Sequence, residues 1–100
     1  MNFENNQVWI SKEYPERDII INDIWYNDEI HNKNTMRCTW TIYNEKEWDK
    51  FVCNKLNVKS IDEAIDKRNC GTYPYAYTGD KNYYNMKQYI TKYNMKLMVE

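Results

Sequence analysis

From Met36 to Tyr43 apolar and polar side chains alternate without a break. Met36, Cys38, Trp40 and Ile42 fall on one side, and Arg37, Thr39, Thr41 and Tyr43 on the other. A period of two sustained this long is the pattern of a half-buried β-strand. Residues 18–26 (DIIINDIWY) are β-branched and aromatic, which also predicts a strand. Their alternation is imperfect and points to burial on both faces at Ile19–Ile21 or to a bulge near Asn22. The polar, Asn-rich stretch 27–35 (NDEIHNKNT) reads as a turn, so 18–26 and 36–43 are expected to pair as a long hairpin. Residues 7–10 (QVWI) form a short first strand, interrupted by SKEYPER, where Pro15 cannot continue a ladder.

The period then changes to that of helices. Asn44 is a good N-cap with Glu47 three residues on, and Trp48, Phe51, Val52 and Leu56 make one apolar stripe in a helix ending near Asn57. Ser60 and Glu63 form an S-x-x-E box before a second helix, with Ile61, Ala64 and Ile65 inward and Gly71 as its stop. Residues 72–80 return to extended structure with a turn at Gly79. Asp80 is the expected cap of a third helix over 81–93, whose stripe is Tyr83, Met86, Ile90 and Tyr93. The tail MKLMV, with Met95, Leu97 and Val99 on one side, predicts an edge strand. The expected fold is therefore α+β: a small antiparallel sheet, the hairpin plus edge strands, with two or three helices packed on one face.

Composition narrows this picture. One hundred residues make one compact domain over 1–100. No apolar run approaches the roughly 20 residues that span a bilayer, and the start MNFENNQVWI has no basic or apolar leader, so a cytoplasmic chain is expected. Cys38, Cys53 and Cys70 are odd in number and contain no C-x-x-C pair, which argues for reduced thiols rather than a zinc site or disulfide framework. His31 is the single histidine, which removes most His-dependent chemistry. No cofactor or metal is expected.

The formal charge is -1, which excludes a uniformly basic nucleic-acid binder. The charge is nevertheless uneven along the chain. Residues 1–35 carry three basic groups (Lys12, Arg17, Lys33) against seven acidic ones, while 36–100 carry an excess of basic groups.

Three constellations carry candidate chemistry. Asp18, Asp23, Asp28 and Glu29 lie around the hairpin. They converge on a metal as in a nuclease, mimic a phosphate backbone towards a basic partner, or simply solvate an edge. With Trp25, a candidate interface hot spot, they make the expected partner-binding surface. The second constellation is tyrosine-rich: Tyr73, Tyr75, Tyr77, Tyr83, Tyr84, Tyr89 and Tyr93, interleaved with Lys81, Lys87, Lys92 and Lys96. Aromatic rings among cations suit stacking of a nucleotide or a single strand, and equally suit a core with hydroxyls at its rim. Tyr73, Tyr75, Tyr77, Lys81, Tyr84 and Lys87 are the candidate ligand residues of that reading. Third, Cys70 follows Lys67 and Arg68, which would lower a thiol pKa, but no triad partner accompanies it.

In size and in its Asn-, Tyr- and Lys-rich composition the chain resembles the small orphan proteins of phages and mobile elements. Many of these bind a host protein, including inhibitors of CRISPR nucleases. That resemblance implies a non-enzymatic inhibitor or modulator docking on a larger host protein or nucleoprotein complex, possession of a homodimer interface being a further option. The alternatives are the nucleotide or single-strand module and a metal-dependent nuclease.

Overall fold

The computed structural model describes residues 2–26, 35–69 and 76–98, with residues 67–69 given by backbone alone. Its strands are β1 (Val8–Ile10), β2 (Ile19–Tyr26), β3 (Met36–Ile42), β4 (Thr78–Asn82) and β5 (Lys96–Leu97). Its helices are α1 (Glu45–Leu56), α2 (Ile61–Asn69) and α3 (Tyr83–Lys92), with a 3-10 turn at Pro15–Arg17. All strand pairs are antiparallel, in the order β4-β3-β2-β1-β5. β4 and β5 are the two edges, and α3 carries the chain from one to the other. The architecture is the expected α+β sheet with helices.

The long hairpin forms in register, with Ile19 opposite Ile42 and Tyr26 opposite Met36, and a shift between Ile21 and Asp23. That bulge at Asn22 resolves the broken alternation. It lets Ile19 and Ile21 before it, and Ile24 and Tyr26 after it, join the same face as Cys38 and Trp40. The face closes around Trp9, Ile19, Ile21, Met36, Cys38 and Ile42, and receives Trp48 and Val52 from α1, Ala64 from α2, and Met86 and Ile90 from α3. Phe3 completes the core, meeting Trp9 and Tyr83 edge-on.

Helix ends follow from asparagine chemistry. Asn44 and Asn82 are the N-caps of α1 and α3, accepting from Glu47 N–H and Asn85 N–H. Asn57 and Asn94 take left-handed backbone angles (φ 54° and 49°) just past the helix ends. In each case the next residue returns a hydrogen bond to the last turn: Val58 N–H to the Cys53 carbonyl and Met95 N–H to the Ile90 carbonyl. This closure usually employs glycine, and Asn is the side chain that best tolerates the same geometry. A chain with two glycines and many asparagines therefore still ends its helices sharply.

Four local expectations need correction. Gly79 lies inside β4 rather than at a turn, and α3 is capped by Asn82, not Asp80. Ile65 is 44% exposed, so the inward face of α2 is Ala64 with Ile61. Leu97 is 40% exposed, so only Met95 of the tail pair enters the core. Gly71 and Val99 lie outside the described residues. The reason for a glycine in β4 is steric. Gly79 pairs with Trp40, and a Cβ added there would lie 2.9 Å from the indole Cζ2. The strand lets the large ring lie flat over a bare backbone.

Gly79→Ala is expected to lower stability by about 1–3 kcal/mol, the range for overpacking a filled site. Denaturant unfolding of the two proteins checks it, and equal midpoints would show that Trp40 shifts without cost.

Candidate functional site

The acidic constellation does not form as one surface. Asp18 is turned inward, 7% exposed, where its carboxylate accepts the Ser11 N–H at 2.8 Å. The Ser11 hydroxyl in turn donates to the Tyr93 carbonyl at 2.6 Å and accepts from the Tyr14 N–H. Asp18 therefore fastens the end of β1 to the 3-10 turn and to the end of α3, and it is not part of an exposed acidic face. Asp28 and Glu29 lie outside the described residues. Asp23 is exposed, and Trp25 is 39% exposed on the sheet face opposite the helices. Across the ladder Trp25 faces Arg37 and Asp23 faces Thr39. Arg37 Nη2 holds Asp80 Oδ1 at 2.6 Å. The local surface is thus a tryptophan beside a braced arginine with two carboxylates. Among the described residues no three His, Cys, Asp or Glu side chains gather as metal ligands.

The tyrosine constellation divides. Tyr73 and Tyr75 lie outside the described residues. Tyr77 belongs to the core rim: its hydroxyl donates to the Asp49 carboxylate and its ring meets Trp48 edge-on, which removes it from any ligand surface. Lys81, Tyr84 and Lys87 do come together. They line an open hollow of about 1010 Å³ along α3, with Tyr89, Lys92 and Tyr93. The hollow also takes Arg17, which no periodicity along the chain connects to α3.

Arg17 reaches the hollow because Pro15 opens the 3-10 turn that aims it there. Its guanidinium carbon lies 4.7 Å from the Phe51 ring centroid, 4.8 Å from Tyr93 and 5.4 Å from Trp48. The Tyr89 hydroxyl donates to the Arg17 carbonyl at 2.7 Å. Lys81 comes from β4 on the helix-covered face, opposite Cys38 and two residues along from the Gly79–Trp40 pair. Its ammonium sits 5.1 Å from the Tyr89 centroid and 5.6 Å from Trp40. The two cations thus flank the Tyr89–Tyr93 ring pair, whose centroids are 4.9 Å apart.

Burial sets the electrostatics. Desolvation lowers the Lys81 pKa and the nearby Arg17 charge lowers it further, while the Asp80 carboxylate opposes this, as would a Cys38 thiolate at high pH. Desolvation likewise raises the Tyr89 hydroxyl, partly offset by Arg17. Neither Arg17 nor Lys81 has an ion-pair partner among the described residues, and none of the residues lining the hollow is acidic. Such a hollow attracts anions. Cys38 is a buried thiol pushed up to about 11, chiefly by desolvation, which leaves it protonated and unreactive at neutral pH.

Native thiol labelling is accordingly expected to spare Cys38 until unfolding and to modify the half-buried Cys53 earlier, as read by peptide mapping. Asp18 supplies a pH signature. Desolvation raises its pKa above 3.8, outweighing the Ser11 hydrogen bond. The folded carboxyl then holds its proton to higher pH than the unfolded one, so stability falls as pH rises from 3.8 through the folded value. Asp18→Asn, which keeps an acceptor for Ser11, is expected to lose that slope. Unfolding midpoints across this window check it, and an unchanged slope assigns the dependence to another group.

Among the described residues no helix is long and apolar enough to cross a membrane. Comparison of the chain with protein-family models, curated proteins and solved structures finds no match.

Proposed function

We propose that this chain is a non-enzymatic binding module that docks on a larger host protein or nucleoprotein complex and blocks or modulates it. This is the role of many small inhibitors carried by phages and mobile elements, which the chain resembles in composition. The observation that carries the reading is Trp25. A tryptophan 39% exposed near the end of β2, on the face away from the helices, stands outside the core cluster. Beside it Arg37 is already held in place by Asp80, so little side-chain freedom is lost when a partner covers it. Trp and Arg are the side chains that dominate interface energetics, and the exposed Asp23 supplies a carboxylate at the rim that favours a basic partner.

Trp25→Ala is expected to abolish capture of a specific partner from host lysate while leaving the fold in place, since Trp25 is not part of the core cluster. A truncated hot-spot tryptophan costs about 2 kcal/mol or more in binding. Retention of the same partner at the same affinity by Trp25→Ala, and by Asp23→Arg, would show that this face is not the contact. A second reading, a nucleotide or single-strand module, is favoured by the acid-free hollow along α3.

A further inference from the structure

We propose that the hollow along α3 binds a nucleoside phosphate, its phosphate held between Arg17 and Lys81 and its base stacked on Tyr84. The inference rests on the second functional reading and is independent of docking through Trp25.

Three features carry it. First, Arg17 and Lys81 are both half-buried cations, approached by π faces and not by carboxylates among the described residues. An aromatic face offsets only part of the cost of removing a cation from water, so a bound anion is the missing complement. The guanidinium fork suits phosphate oxygens, and the ammonium supplies a second, less directional charge. Second, Lys87 and Lys92 extend the same positive lining, and Lys92 lies 5.4 Å from the Tyr93 ring centroid. Cations arranged along one hollow follow a phosphate or a short phosphate backbone. Third, Tyr84 is 65% exposed on a rigid helix, and its hydroxyl is fixed by the Gln88 side chain at 3.1 Å. A presented ring whose hydroxyl oxygen already accepts from Gln88 offers its face to a base, and such stacking is sequence-tolerant. The hollow, at about 1010 Å³, has room for a mononucleotide. Acidic peptide would satisfy the charges but not the ring.

The test is calorimetric titration of the full chain with a nucleoside monophosphate, the matching nucleoside, inorganic phosphate, a short acidic peptide and a short single-stranded oligonucleotide, each at low and high salt. The expected result is that the nucleotide binds more tightly than nucleoside, phosphate or peptide, and more weakly at high salt. Lys81→Met keeps the apolar stem and removes a desolvated charge, so it is expected to fold at least as stably. It should weaken nucleotide binding about tenfold or more, the worth of one charged hydrogen bond. Tyr84→Ala should weaken the nucleotide but not phosphate, and Lys50→Met on α1 should change neither. An oligonucleotide that binds much more tightly than the mononucleotide identifies the source as a strand, and equal affinities identify it as a free nucleotide. Both results support the site. Binding of no nucleotide or oligonucleotide overturns the second functional reading itself. Nucleotide binding indifferent to Lys81→Met and Tyr84→Ala overturns only this placement, and phosphate or peptide binding as well as nucleotide overturns the stacked base.

Discussion

The arrangement of the helices over the sheet turns on one half-buried guanidinium. Arg17 is inserted where α1 and the end of α3 approach the start of β2, with Phe51 and Trp48 on one side and Tyr93 on another. Its own carbonyl accepts the Tyr89 hydroxyl, so both its backbone and its side chain engage α3. Moving either helix would uncover the cation or separate it from its rings. Cation–π contacts of this kind contribute about 0.5–2 kcal/mol each. That is enough to set a position, but less than the cost of fully dehydrating an unpaired charge. The consequence is that the cluster must stay open on one side, and the hollow along α3 is that opening. The group that locates the helices is thus also one of the cations that line the hollow.

The Ser11–Asp18–Tyr93 network works beside it with the opposite sign. A carboxylate one residue from Arg17 makes no ion pair with it and instead takes the Ser11 N–H just past β1. Had Asp18 paired with Arg17 instead, the hollow would lose one of its four cations and β1 would lose its tie to the 3-10 turn. The division of labour between two adjacent residues of opposite charge keeps the acid structural and the base available.

Elements whose signals are local were legible in the sequence. The unbroken alternation at 36–43, the Asn44 and Ser60 caps and the bulge at Asn22 each involve residues a few positions apart, and all are present. The errors came where a neighbour across the sheet overrides a local preference. Gly79 reads as a turn until Trp40 is known to cover it, and Asp80 reads as a cap until Arg37 is known to claim it. The candidate site was half legible for the same reason. Lys81, Tyr84 and Lys87 lie close in sequence, and helix periodicity brings them to one hollow. Arg17 reaches that hollow only through the strand order, which no local pattern encodes. Pro15, which initiates its turn, was the one usable sign that residue 17 would be held rigidly.

Charge blocks along the chain are a poor guide to charge on the surface, and this fold shows the physical reason. The acidic first third places one carboxylate, Asp18, inside the structure, while its Arg17 joins the lysines of the last third. The basic remainder sends Asp80 and Arg37 to the open sheet face beside Asp23, where they neutralise each other. A block predicts a surface only if it folds as one surface element. In a five-stranded sheet whose edges come from the last quarter of the chain, neighbouring positions in space are drawn from distant positions in sequence. The polarity that matters is therefore set by which strand is an edge and which face the helices cover. By that measure the molecule has a mixed, tryptophan-bearing face on one side of the sheet and a cationic, tyrosine-lined hollow on the other.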